Sequence, residues 1–271
     1  MNEVAEARAS RRLRHPLKFR HLQVAQSRQL SPHMIRITLQ GPALHGFLSP
    51  GFDDHVKLFF PDPDTGHLSL PTAGPDGPQF AVDRPRPVAR DYTPRAFDEK
   101  AETLSIDFAV HEAGPATRWA LNAQPGDSIG VGGPRGSFLI PADFDAHLLI
   151  GDDTALPAIA RRLAELPAGA RVTVVDEVEG PEHELAFDTS TDLSLHWVHR
   201  RGAAAGSPKL VDALKRLSPN PGDFHTWVAC ESGVAKVLRQ ELIAHHGAGP
   251  QWTKAAGYWK HGNAATHDKH E

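Results

Sequence analysis

The spacing of hydrophobic and polar positions changes once along the chain, and the change divides it in two. In the first half apolar residues come in short, partly alternating runs: Phe19 to Ala25, Met34 to Leu39, Val56 to Phe60, Leu104 to Val110 and Ser128 to Val131. Alternation marks strands with one buried face. Turn-forming pieces separate the runs, among them Gly41-Pro42, Pro50-Gly51, Pro61-Asp62-Pro63-Asp64 and Pro125-Gly126-Asp127. Short strands between such turns predict an antiparallel barrel or sandwich. Pro71 to Pro87, rich in Pro, Gly and Asp, predicts a loop. Only Gly114 to Leu121 departs from this pattern. Pro115 suits a first helical turn, and Ala116, Trp119 and Ala120 share one helical face.

The second half alternates strand and helix patterns. Strands are predicted over 147–151, 171–175, 193–198, 227–230 and 252–258, and helices over 156–166, 209–217 and 234–245. That alternation implies a parallel sheet covered on both faces. The boundary falls at Pro141 to Asp145. The expected layout is a flexible basic arm over 1–15, an antiparallel β-barrel domain over 16–141, an α/β domain over 142–263 and a polar tail over 264–271.

Composition narrows the function. The 271 residues carry a net charge of −4, so no overall basic field points to nucleic acid. A single cysteine excludes an internal disulfide and a cysteine-based zinc site. No apolar run is long enough for a membrane span, and the basic N-terminal residues lack the apolar core of a secretory signal. A cytoplasmic setting fits these features. The 17 histidines follow no ligand spacing, so no metal site is expected.

The densest candidate chemistry is Arg90-Asp91-Tyr92-Thr93-Pro94-Arg95. It packs two guanidinium groups, a phenol and a hydroxyl into an extended segment, since Pro94 restricts Thr93 to extended geometry. Such a segment offers an Arg to a phosphate, an aromatic plane to a flat ring and a hydroxyl to a heteroatom. Taken alone it reads equally as an edge strand with solvated arginines. Arg90, Tyr92 and Pro94 face one way, so Thr93 and Arg95 reach the same ligand only through a twist or bulge.

Asp152-Asp153-Thr154-Ala155 follows the first strand of the α/β half and opens a helix, where bare amides favour a phosphate; it reads equally as an ordinary helix capped by one aspartate, the other repelling anions unless turned away. His199-Arg200-Arg201 ends the third strand of that half, where an arginine suits the 2′-phosphate of NADP(H). Asp176, Glu177 and Glu179, ending the second strand, oppose that preference. Cys230 ends the fourth strand, either as a small buried hydrophobe or close to a cofactor ring. Tyr258-Trp259-Lys260 closes the last strand with two aromatics beside a cation. Gly130 to Gly136 has the wrong spacing for a nucleotide-binding glycine fingerprint and is followed by an apolar stretch instead of a helix.

Six segments in order resemble the siderophore-interacting protein family of ferric-siderophore reductases, within the ferredoxin-reductase-like superfamily. They are His55-Val56-Lys57-Leu58, Arg90-x-Tyr92-Thr93-Pro94-Arg95, Asp107 to His111, Gly114 to Ala120, Gly151 to Ile159 and Gly257 to Lys260. The resemblance implies an FAD-binding antiparallel barrel followed by an NAD(P)H-binding α/β domain. It puts Arg90 at the FAD phosphates, Tyr92 against the flavin and Thr93 near its reactive edge. Asp107 and His111 join the FAD-binding set. Gly114, Ala116 and Thr117 would offer amides to the pyrophosphate. Asp152, Thr154 and Ala155 would line the nicotinamide-nucleotide side, with Arg200 favouring NADPH and Tyr258 and Trp259 at the cofactor. Lys57, Arg135 and Lys260 are the candidate cations for an anionic ferric chelate.

The implied activity is NAD(P)H-dependent reduction of Fe(III) in a ferric siderophore, with release of Fe(II). Two other functions fit the same features: a general NAD(P)H:flavin or electron-transfer reductase with a protein partner such as a ferredoxin, and a non-enzymatic chelate carrier with structural FAD. The chain departs from the family pattern at Ala229-Cys230-Glu231, where Ala-Gly-Glu is usual, and at Lys260-His261, where paired arginines are usual.

Overall fold

The computed structural model describes residues 8–75, 77–83, 85–110, 114–206, 208–218 and 222–262, and the backbone of 268–270. Ser10–Ile140 forms one compact unit, and Pro141–Glu271 with the residues up to Ala9 forms the other.

The first unit is built from β1 (Arg11–Arg14), β2 (Phe19–Ser31), β3 (Met34–Gln40), β4 (Val56–Phe59), β5 (Thr72–Gly74), β6 (Gly77–Gln79), β7 (Ala89–Tyr92), β8 (Pro94–Asp98), β9 (Thr103–Ala109), β10 (Ser128–Gly132) and β11 (Gly136–Leu139). Seven of them form one antiparallel sheet in the order β7-β4-β10-β2-β3-β9-β8. The two edge strands, β7 and β8, are consecutive in the chain, with Thr93 alone between them. The sheet therefore curls until its edges meet at that residue. Alternation supplies the interior: Leu22, Val24, Ile37, Leu39, Val56, Leu58, Ile106, Ile129 and Val131 are all buried. The predicted loop over 71–87 contains one short hairpin, β5 with β6.

Residues 11–14, expected in a flexible arm, are instead strand β1. It pairs antiparallel with β11, with Arg14 opposite Gly136 and Arg12 opposite Phe138. The ladder satisfies backbone groups of β11 that would otherwise lie on an open edge.

The second unit contains β12 (Ala146–Asp152), β13 (Arg171–Val178), β14 (Asp192–His199), β15 (Phe224–Glu231), β16 (Thr253–Trp259) and β17 (Asp268–His270). Their order is β14-β13-β12-β15-β16-β17. The first five are parallel, and β17, inside the expected polar tail, runs antiparallel to β16. Every residue of β12 and β15 is buried, as central parallel strands require. Helices Leu156–Glu165, Lys209–Lys215 and Ser232–His245 accompany the sheet.

At the amino ends of the central strands His147 lies beside His225, with ring centroids 6.0 Å apart. Phe144 packs against both. Burial, with Arg162 adding to it, lowers His147 to about 4, and burial drives His225 well below its ordinary value. Both rings are therefore neutral in the folded protein at pH 7. Unfolded, each binds a proton near pH 6.5, so stability is complete above that value and falls as pH drops toward 4. We expect an acid loss on the order of 3 kcal/mol from His147 alone, read by urea unfolding between pH 7 and 4. A profile no steeper than that of a His225→Leu, His147→Leu variant would refute the neutral-pair account.

Candidate functional site

In the first unit the site is organised by the seam at Thr93. On β7, Arg90 lies opposite Leu58 and Tyr92 opposite Val56, while Asp91 lies opposite Lys57. Alternation therefore turns Arg90 and Tyr92 to the inner face and Asp91 outward. Tyr92 packs against Phe108 at 4.4 Å between ring centroids, and burial pushes its phenol well above the ordinary range. Arg90 donates to the Ala89 carbonyl at 2.8 Å and, among the described residues, has no carboxylate partner. Thr93 is buried.

The register of β8 on β9 shifts between Pro94 and Ala96, which places a bulge at Arg95. This is the irregularity the alternation argument calls for. It sends Arg95 toward Asp107, 4.0 Å away, rather than back to the Arg90 face. Asp107 itself takes a bidentate pair of hydrogen bonds from Arg36 Nε and Nη2, at 2.6 and 2.7 Å. The carboxylate of Asp107, expected in the cofactor-binding set, is engaged with two arginines across β3, β9 and β8. Arg36 was not picked out from sequence. Its signal lies only in the register that sets it opposite Asp107.

Helix Pro115–Asn122 connects to the seam through aromatics. Trp119 packs on Phe108 at 5.9 Å, and Phe108 packs on Tyr92. Its start is bare: Gly114 is extended, Pro115 follows, and no side chain among the described residues caps it. Helix starts carry unpaired amides and a partial positive charge, so this one suits a phosphate. His111 lies outside the described residues. Arg90, with no carboxylate partner among the described residues, the bare Gly114 start and the aromatic row between them fit an FAD whose phosphates need cations and amides and whose ring needs a flat neighbour.

The helix starts at the carboxyl edge of the second unit differ. Asp152 Oδ1 accepts from the Thr154 amide and hydroxyl at 3.0 and 2.5 Å, and the Asp152 carbonyl accepts from the Ala155 amide at 2.7 Å. The expected bare amides at Thr154 and Ala155 are thus already satisfied within the chain, and Ala155 is fully buried. Glu231 Oε2 likewise caps Ser232–His245 by accepting from the Gly233 and Val234 amides. The other Asp152 oxygen accepts from Trp259 Nε1 at 2.8 Å, which fixes the indole at this edge. Tyr258 turns away and packs edge-on against Trp227 at 6.0 Å. A register shift between Cys230 and Glu231 separates the two aromatics. They do not form one continuous cover.

Arg200, expected at the 2′-phosphate, sits in a carboxylate cage. It is 3% exposed and held by Asp153 Oδ2 at 2.5 Å, Glu179 Oε2 at 3.3 Å and Glu177 Oε1 at 3.7 Å. A guanidinium enclosed by carboxylates has no face left for a 2′-phosphate. Its neighbour Arg201 is exposed, has φ 51 and has no carboxylate partner among the described residues. Asp176 lies fully buried in the same group. Burial, then Asp153, Asp152 and Glu177, raises its carboxyl well above the usual range and favours the protonated acid. Cys230 is also buried, and burial followed by the nearby carboxylates raises its thiol, so it is no thiolate nucleophile.

Of the expected substrate cations, Lys57 is paired with Asp91 at 2.7 Å, whereas Arg135 and Lys260 are exposed and have no such partner among the described residues. No cluster of metal-ligating side chains occurs among the described residues, and none of the helices is long and apolar enough to cross a membrane.

Comparison with known proteins covers both units. Residues 23–138 match the siderophore-interacting FAD-binding domain, and residues 144–262 match the siderophore-interacting protein family. The chain is 38% identical to an NADPH-dependent ferric-chelate reductase of Escherichia coli K12, over 93% of this chain and 97% of that one. It is 31% identical to a ferric vibriobactin reductase of Vibrio cholerae, over 90% of each. Among solved structures, a siderophore utilization protein from T. fusca is similar at a TM-score of 0.88 and 40% identity, covering 95% of this chain and 98% of that one.

Removing Arg200 leaves Asp153 and Glu177 buried without their cation. Arg200→Ala is expected to destabilise the second unit by about 3–5 kcal/mol. Thermal unfolding checks this. A variant of wild-type stability with a selectively raised NADPH Michaelis constant would restore Arg200 to the phosphate site.

Proposed function

This chain belongs to the siderophore-interacting protein family, and from that premise we propose that it is an FAD-containing, NAD(P)H-dependent reductase of ferric siderophores. The observation that carries the proposal is the pairing, in one unit, of a bare helix start with an arginine that lacks a carboxylate partner, joined by the Tyr92–Phe108–Trp119 row. The overall reaction takes one NAD(P)H and two Fe(III) to NAD(P)⁺, one proton and two Fe(II).

Bound at this site, FAD supplies the conversion of a two-electron hydride donor into single-electron delivery. The roles of the chain are binding and orientation. Arg90 and the amides of Ala116 and Thr117 hold phosphate. Tyr92, braced by Phe108, presents a flat face, and Thr93 presents its hydroxyl at the seam where no strand ladder competes. At the second unit's edge Asp152 fixes Trp259, and Arg201 replaces Arg200 as the group for a 2′-phosphate. This supports NADPH over NADH. The substrate is an anionic ferric chelate, and reduction loosens hard oxygen ligands so that Fe(II) leaves. A cytoplasmic setting, where pyridine nucleotide is supplied, suits this reaction.

The test is anaerobic turnover of a ferric siderophore with an Fe(II) trap, using each pyridine nucleotide in turn. Fe(II) appearing in a 2:1 ratio to NADPH consumed is the expected result. Bleaching of the flavin without Fe(II) release, or turnover only with a ferredoxin, would displace the proposal in favour of a protein-partner reductase. A flavin that neither nucleotide bleaches would leave a chelate carrier.

Two variants test the assignments. Arg90→Ala should weaken FAD retention at least tenfold, measured by flavin fluorescence on dilution, since a charge-assisted phosphate contact is worth about 1.5–3 kcal/mol. Arg201→Ala should raise the NADPH Michaelis constant and leave that for NADH unchanged.

A further inference from the structure

We propose that β1 is a cationic flange that recruits multiply charged anionic ferric chelates, with Arg12 and Arg14 as its specificity-determining residues. The inference rests on the reductase reading above and names the substrate charge class for that site.

The strand is held firmly in place. Its four residues pair with β11, and the His15 amide donates to the Arg135 carbonyl at 3.0 Å. The His15 ring hydrogen-bonds with Ser137 Oγ at 2.8 Å. Ser137 in turn donates to the buried Asp54 at 2.6 Å, and Asp54 also accepts from the Gly51 amide. Gly136 permits the close approach: a Cβ there would come within 2.6 Å of the Leu13 carbonyl oxygen. Arginines on a pinned strand lose less freedom on binding than arginines on a mobile arm.

The strand is also rich in unbalanced charge. Arg11, Arg12, Arg14, Lys18 and Arg135 are exposed, and none has a carboxylate partner among the described residues. Arg12 and Arg14 share one face of the ladder, and Arg14 sits opposite Gly136, where no side chain screens it. Arg135, the expected substrate cation, directly precedes Gly136. Lys57, the other expected cation of this unit, is neutralised by Asp91. Arg28, Arg86, Lys100 and Arg118 are exposed elsewhere in this unit, but among its described residues the densest run of exposed cations is β1 with Lys18, followed across the ladder by Arg135. In a chain of net charge −4 this is a local reversal of sign, and such fields accelerate capture of small anions. The strip is too short for a nucleic acid, which for comparable affinity would need roughly six or more phosphate contacts.

The experiment compares wild type with Arg12→Gln, Arg14→Gln on two substrates: a ferric tris-catecholate, a trianion, and a neutral ferric tris-hydroxamate. Each is assayed from low to high salt. For the trianion, kcat/KM should fall about tenfold at low salt, and its salt dependence should flatten. For the neutral chelate, kcat/KM should change less than twofold. Arg12→Lys, Arg14→Lys should retain most of the wild-type value, which separates charge from a structural role. Equal losses on both chelates, or an unchanged salt dependence, would overturn the inference. Wild type that reduces neither chelate would instead overturn the reductase reading.

Discussion

A seven-stranded sheet whose two edge strands are joined by a single residue must curl. Thr93 is that residue, and the constraint organises the first unit. In this sheet β7 pairs only with β4 and β8 only with β9, so each keeps one side open. The open side falls within the segment that carries Arg90, Tyr92 and Thr93. An edge is ordinarily a hazard for aggregation. Here the curl turns each edge toward the other.

Charge is handled in opposite ways by the two units. Among the described residues, the barrel unit leaves a helix start uncapped by a side chain and an arginine without a carboxylate, a cost that a bound anion would offset. The α/β unit satisfies its own helix starts through Asp152 and Glu231 and buries Arg200 among carboxylates. The exposed Arg201 lies outside that buried network. Burial and the neighbouring carboxylates raise the Asp176 carboxyl well above the usual range within that network.

The architecture was legible because it rests on periodicity. The period-two runs became β2, β3, β4, β9 and β10, and the alternating second half became a parallel sheet in the expected order of elements. Local geometry was legible, as in the alternation that turns Arg90 and Tyr92 to one face and the helix start at Gly114. The site was not legible where the outcome depends on a partner distant in sequence. Arg200 reads as a phosphate ligand until Asp153, 47 positions earlier, is seen to hold it. Asp107 reads as a cofactor residue until Arg36, 71 positions earlier, takes both its oxygens. The four residues 11–14 are too few and too charged to signal a strand, and only the register with β11 makes them one.

The one-residue link at Thr93 also separates what evolution or an engineer can change from what must stay fixed. An added residue there would slip β8 by one position and turn each of its side chains to the opposite face. The stretch from Pro71 to Pro87 is under no such restriction. Doubling the length of a flexible loop costs only about 0.6 kcal/mol in closure entropy. Length variation that reshapes the surface of this unit has room in that stretch, while the link itself admits substitution but not insertion.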